Sequence, residues 1–249
     1  MKRPWIIKAG GELMAGQPVR GKILAGLKKI QRTERLVFVH GGGPQIEAEL
    51  KRNNVAAHFV NGRRVTTPEA MIHVERVLSG EINKGLAAEL VKLGVPAVGL
   101  SCRDGGAVTA TPIDGLGRAA KPGKIRPALL AALMAAKFVP VVSSVGSDAK
   151  GMAVNINADD AASAIAVAMK AARLVFLTNV AGVRGSDGKR IPVLKISQID
   201  RLIEEGVITG GMIPKVQSAR KAILAGVGEI DIVNGLDGIQ INGGTRILK

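Results

Sequence analysis

Cysteine is almost missing from this 249-residue chain: Cys102 stands alone. That excludes an intrachain disulfide and leaves no cysteine-built metal site. Aromatic residues make up only 2%, with one Trp and no Tyr, so the core must be built from Ala, Val, Ile and Leu. The same shortage removes the stacking platforms that bind single-stranded nucleic acid. The three histidines, His40, His58 and His73, show no metal-ligand spacing among themselves. No apolar run has the length of a membrane span. The N-terminus, Met1-Lys-Arg-Pro-Trp-Ile-Ile-Lys8, runs straight into a strand pattern rather than a signal peptide, and the reading is a cytoplasmic protein. A P-loop (Gly-x4-Gly-Lys-Ser/Thr), a dinucleotide fingerprint and a serine nucleophile elbow are all missing.

Charge and glycine are plentiful. The formal net charge is +15, and the basic residues are spread along the chain instead of forming a dense arm. A polyanionic substrate such as ATP, or an acidic protein partner, explains the charge as well as nucleic acid does. The 32 glycines fit many tight turns between strands and helices. Short apolar runs predict strands at 5–8, 36–39, 96–100, 138–143, 174–177 and 229–233, with a closing strand near 243–247. Helical spacing alternates with them over 22–30, 44–53, 68–78, 82–93, 127–136, 199–205 and 210–225, with an Ala-rich helix from Asn155 to about Ala172. Gly80 is expected to interrupt the helix that begins at Pro68. Residues 57–65 read as a β-hairpin turning at Asn61-Gly62, and 103–126 as a hairpin excursion. Alternating strands and helices predict an α/β fold with a mostly parallel sheet covered on both faces. A composition shift at 145–155 suggests two lobes sharing that sheet.

Chemistry-bearing residues gather where ligands bind in such folds, at the carboxyl ends of the strands. Leu36-Val-Phe-Val-His-Gly-Gly-Gly-Pro44 is a strand, three bare glycines and a helix start. That arrangement offers backbone N–H groups and a helix dipole to an anion, and it also makes a tight turn with no ligand at all. Lys8 ends the first strand just before Gly10 and Gly11. It either snorkels to the rim or meets an anion there. Lys215 sits in the first turn of a helix, where a bound anion would offset the unfavourable dipole. In Asn155-Ile-Asn-Ala-Asp-Asp160 one side chain caps a helix, and the others are left over for charge-assisted hydrogen bonds, such as Asp159 holding two lysines. Glycine amides, two lysines and an organising aspartate suit phosphoryl transfer by positioning and charge neutralisation.

Six stretches in order carry a resemblance. They are Lys8-Ala-Gly-Gly11, Val39-His-Gly-Gly-Gly-Pro44, Gly62-Arg-Arg-Val-Thr66, Asn155-Ile-Asn-Ala-Asp159, Leu177-Thr-Asn-Val-Ala-Gly182 and Gly210-Gly-Met-Ile-Pro-Lys215. Over nearly its whole length the chain resembles the amino acid kinase family, in particular its members that phosphorylate N-acetyl-L-glutamate. The resemblance implies a three-layer αβα sandwich, with residues 1–150 binding the acyl amino acid and forming a homodimer, and residues 151–249 binding ATP. It implies that Lys8, Lys215 and Asp159 are catalytic, and that Gly10, Gly11 and Gly42 cradle the transferring phosphoryl group. Gly42, Gly43, Arg64 and Asn155 would hold the acceptor. Thr178, Asn179, Val180, Gly182 and Val183, with Thr209 and Lys215, would hold the nucleotide. Mg2+ would arrive with ATP, without a metal site of the protein's own. Asn179 stands where the family usually has Asp, Ser143-Ser144 replaces the usual small-Pro pair, and Ala9 replaces a larger apolar residue. Only seven residues precede Lys8, so the resemblance also implies a homodimer insensitive to arginine, paired through the helix starting at Pro68. A relative that phosphorylates 2-aminoadipate or glutamate mounted on an acidic carrier protein is the alternative, kept open by the +15 charge.

Overall fold

The computed structural model describes residues 2–60 and 62–249. β1 (Trp5–Ala9) leads through the short α1 (Gly11–Ala15) into α2 (Gln17–Gln31). β2 (Leu36–His40) and α3 (Gly43–Arg52) follow, then a hairpin of β3 (His58–Val60) and β4 (Arg63–Val65). Asn61, expected in its turn, lies outside the described residues. α4 (Pro68–Glu75), a π-helical stretch at Arg76–Ile82 and α5 (Asn83–Lys92) form one continuous rod. β5 (Ala97–Ser101), β6 (Val108–Pro112), β7 (Ala119–Ile125), α6 (Ala128–Ala135) and β8 (Val139–Ser143) come next. β9 (Val145–Ser147) and β10 (Ala153–Ile156) lead to α7 (Ala158–Ala168) and β11 (Arg173–Thr178). β12 (Val193–Lys195), α8 (Ile199–Glu204), α9 (Met212–Leu224), β13 (Glu229–Asn234) and β14 (Thr245–Leu248) complete the order.

Eight strands make the central sheet in the order β12-β14-β13-β11-β1-β2-β8-β5. Every pairing in it is parallel except β13 with β14. The period-two alternation of side chains builds two cores from the same strands. Ile6, Val37, Val39, Leu174 and Phe176 face α7 and α9, whereas Ile7, Phe38, Val175 and Leu177 face α2 and α5. The expected αβα sandwich is thus present, and its layers explain why β2 is buried throughout.

Three expectations needed correction. Gly80 does not break its helix; the chain passes through it with one wider π turn, so Leu78 and Ile82 meet the glycine loop after β2. The Ala-rich helix does not begin at Asn155, because Asn155 and Ile156 still pair within β10, and it ends at Ala168, not Ala172. The hairpin expected at 103–126 is present as antiparallel β6 and β7, but it does not stand apart: with β9 and β10 from the 145–155 stretch it closes a small barrel, β10-β7-β6-β9. The cap that the sequence suggests for the long helix is present: Thr67 Oγ1 accepts from Ala70 N at 3.1 Å, with Pro68 in the first turn.

Candidate active site

Parallel register brings the carboxyl ends of the central strands level, with Ala9 beside both His40 and Leu177. Lys8 shares the face of Ile6 by strand alternation and therefore points at the N-terminus of α7. That terminus is capped by Asn157, whose Oδ1 accepts from Asp159 N at 2.8 Å and from Asp160 N at 3.3 Å. Because Asn157 does the capping, the side chain of Asp159 is free for other partners. Lys215, in the first turns of α9, donates to Asp159 Oδ2 at 2.5 Å. Lys8 Nζ lies 2.7 Å from Oδ1, but off line, so this contact is a charge pair and Oδ1 keeps no aligned donor. Burial works against the Asp159 charge, yet the two ammonium groups outweigh it and hold the carboxyl down at about 2. Burial likewise lowers the Lys8 pKa from the usual lysine value; Asp159 opposes the shift and Lys215 adds to it.

The two glycine turns touch. A Cβ on Gly11 would lie 2.6 Å from both Gly42 Cα and Gly43 N, so any side chain there would force the loops apart. Gly41 N donates to Ala9 O at 3.1 Å, and Gln45 Nε2 donates to Gly11 O at 3.1 Å, which ties the second turn to the first. On one side of these loops a cleft is bounded by Gly42, Gly43, Arg64, Asn155 and Asp159. Arg64 is 8% exposed and lies over the Phe59 ring at 4.6 Å. One guanidinium nitrogen donates to Glu47 at 2.9 Å, whereas Nη1 is buried and has no partner. An orphaned guanidinium N–H in a cleft is suited to a carboxylate. Asn155 donates to Thr66 Oγ1 at 3.1 Å, which fixes its orientation in the same cleft.

A second cleft opens on the other side, bounded by Thr178, Asn179, Val180, Thr209 and Lys215. Lys8, Gly10, Gly11 and Gly43 border both clefts, so the lysine–aspartate bridge stands where the two meet. Gly182 and Val183 do not line it. Val183 N donates to Thr245 Oγ1 at 2.9 Å, and a Cβ on Gly182 would meet the same oxygen at 2.5 Å, so this pair anchors the turn that carries Thr178 to Val180.

A model of the amino acid kinase family matches residues 3–234. The chain belongs to the amino acid kinase family. This amino acid kinase is 40% identical over 244 residues to acetylglutamate kinase of Endomicrobium trichonymphae, covering 98% of each chain. It is 43% identical over 255 aligned positions to acetylglutamate kinase of Geobacillus stearothermophilus, covering 100% of this chain and 98% of that one. Among solved structures, smu.665 of Streptococcus mutans superposes with a TM-score of 0.88 at 32% identity, covering 100% of this chain and 99% of the other.

Several residues of this amino acid kinase join the site without having been read from the sequence. Arg63 donates to Asp160 at 2.6 Å and so ties the β3–β4 hairpin to the start of α7. Asn179 donates to Glu12 at 3.0 Å across the second cleft. An aspartate there would face Glu12 as a second anion, so the neutral amide fits its neighbour. In Gly62-Arg-Arg-Val65 the sequence marks the second arginine, Arg64; the ion pair to Asp160 belongs to the first, Arg63. Nothing local marked Glu12, Gln45 or Thr66.

Proposed function

We propose that the protein phosphorylates the γ-carboxylate of N-acetyl-L-glutamate with MgATP, giving N-acetyl-L-glutamyl 5-phosphate and ADP, a step of arginine biosynthesis. The observation that carries the chemistry is Asp159 gripping Lys8 and Lys215 where two clefts meet. A carboxylate oxygen of the acceptor attacks the γ-phosphorus in line; one O–P bond forms as the bond to the ADP oxygen breaks. No proton moves, because the acceptor already carries its charge at neutral pH. The lysines neutralise the oxygens of the transferring group, and the amides of Gly10, Gly11 and Gly42 hold the same oxygens. Asp159 touches no substrate in this scheme and positions both lysines. Mg2+ enters with ATP and shields its phosphate charge.

The acyl amino acid occupies the first cleft, with its carboxylate on the orphaned Arg64 Nη1 and its polar backbone atoms near Asn155 and Gly43. ATP occupies the second, beside Thr178, Asn179, Val180, Thr209 and Lys215, with Gly182 and Val183 anchoring that turn. This assigns residues 1–150 to the acceptor and 151–249 to the nucleotide, across one continuous sheet. The names of the curated relatives favour the free acylated amino acid over a carrier-bound one. We further assign the dimer contact to the rod that starts at Pro68, where Ile72 is half exposed.

Arg64→Ala tests the acceptor assignment. The Michaelis constant for N-acetylglutamate rises by roughly 10²-fold, the cost of leaving a buried charge without its partner, while that for ATP stays unchanged. Steady-state kinetics with both substrates varied reads the two separately. An unchanged constant for the acceptor would place its carboxylate elsewhere.

A further inference from the structure

His40 and Asn83 are fully buried, and neither borders the clefts described above. They come from different layers. His40 closes β2, immediately before the glycine turn, and Asn83 opens α5 directly after the π-helical stretch. The Asn83 amide nitrogen lies 3.0 Å from His40 Nε2 and 2.8 Å from the Val141 carbonyl oxygen. Turning the amide over would set its oxygen against that carbonyl, two acceptors face to face, so its orientation is fixed. An NH2 group only donates. Nε2 must therefore accept, and the ring proton sits on Nδ1, which lies 3.1 Å from the Gly41 carbonyl oxygen.

The rest of the surroundings agree with a neutral ring. The other polar atom of the Asn83 side chain, Oδ1, has no partner and is turned toward Gly99, where a Cβ would stand 2.5 Å from it. Glycine at 99 thus makes room for the amide. Burial holds the imidazole down at about 4, well under its ordinary value. The glycine turn itself is pressed from the helix side, since a Cβ on Gly42 would meet Ile82 Cδ1 at 2.4 Å and Leu78 Cδ2 at 2.7 Å. The π turn brings all three contacts, Leu78, Ile82 and Asn83, onto the loop side of the rod.

We propose that His40 is a positioning residue for phosphoryl transfer: its Nδ1–H, kept on that nitrogen by Asn83, pins the Gly41 carbonyl and so presets the Gly42 amide of the same peptide. The proposal rests on the functional reading above, in which that amide holds the transferring group. The contacts that hold the turn without touching a ligand include Gly41 N on Ala9 O, Ile46 N on Gly42 O, Gln45 on Gly11 O, and His40 on Gly41 O. Without the last, the first peptide of the turn is free to rotate, and an amide that must meet developing charge loses its preset direction.

Two measurements test this. Nitrogen-15 spectra of the unaltered protein at neutral pH, with the His40 signal identified by its loss in His40→Asn, read the tautomer. A neutral ring protonated on Nδ1 is expected; protonation on Nε2 or a charged ring would overturn the proposal. The second is kinetic. His40→Leu fills the space without a donor, and kcat falls by roughly 10- to 100-fold with the Michaelis constant for ATP unchanged. His40→Asn places an amide donor near the position of Nδ1 and restores most of that loss. Full turnover in His40→Leu, or a His40→Asn as impaired as His40→Leu, would refute it. The spectrum needs no substrate and holds even where His40→Leu fails to fold. A wrong acceptor would show as inactivity of the unaltered protein and would leave the ring signal as it is; the acceptor that does turn over then serves for the kinetic arm.

Discussion

Replacing Lys8 with methionine lowers kcat by roughly 10²- to 10⁴-fold, the range for removing a preorganised charge from a developing anion. Methionine keeps the length and bulk of the side chain in a position that is 6% exposed, so packing against β2 and β11 survives and the effect is electrostatic. In the proposed arrangement the charge that Lys8 meets is largest in the transition state, whereas ATP in the ground state would retain Lys215 and the turn at Thr178 to Val180. Turnover therefore falls far more than ATP affinity. The pH profile carries a second signature. Lys8 acts with its proton on, and burial lowers its pKa, so kcat/KM of the unaltered enzyme drops on the alkaline side below the usual lysine value. That limb vanishes in the variant. Loss of ATP affinity equal to the loss of turnover would contradict the assigned role.

Asp159→Asn abolishes measurable turnover and also destabilises the fold. Asparagine leaves Lys8 and Lys215 facing each other at side-chain exposures of 8% and 20%, with no counter-charge. Breaking a buried pair in this way costs about 3 kcal/mol. The sign of the pH effect follows. In the variant the folded-state pKa of Lys8 falls further below its unfolded value, so the unfolded chain binds more protons and stability rises with pH. The deficit measured by chemical denaturation is thus greatest near neutrality and shrinks as the medium becomes alkaline. A variant as stable as the parent at neutral pH, or a deficit that grows with pH, would remove Asp159 from its place between the lysines. The parent's carboxyl, held at about 2, keeps its charge through the whole working range.

The sheet and the glycine turns at its strand ends were legible because they rest on short-range patterns. A lysine that continues a strand's alternation, as Lys8 continues Ile6, must face the same side as that strand's core residues, and bare glycines after a strand mark an anion-ready turn. Within Asn155 to Asp160 the hold of Asp159 on two lysines was readable, but the capping residue was not. Which side chain caps α7 depends on where β10 stops, and that is decided by pairing with β7 and β9. The small barrel was hidden because two of its four pairings, β7 with β10 and β6 with β9, join strands far apart in sequence. The links Arg63–Asp160 and Glu12–Asn179 join residues 97 and 167 positions apart, beyond any local signal. Gly80 misled for a different reason: glycine weakens a helix, but packing of Leu78 and Ile82 on the glycine turn keeps this one continuous.

The most direct test of the account is ADP release from MgATP with separate acceptors: N-acetylglutamate, glutamate, aspartate, carbamate and a carrier-bound aminoadipate, each followed by hydroxylamine. Selective turnover on N-acetylglutamate is expected, with one hydroxamate trapped per ADP released, as an acyl phosphate requires. Turnover on the carrier-bound substrate with none on N-acetylglutamate, or ADP release without hydroxamate, would contradict it.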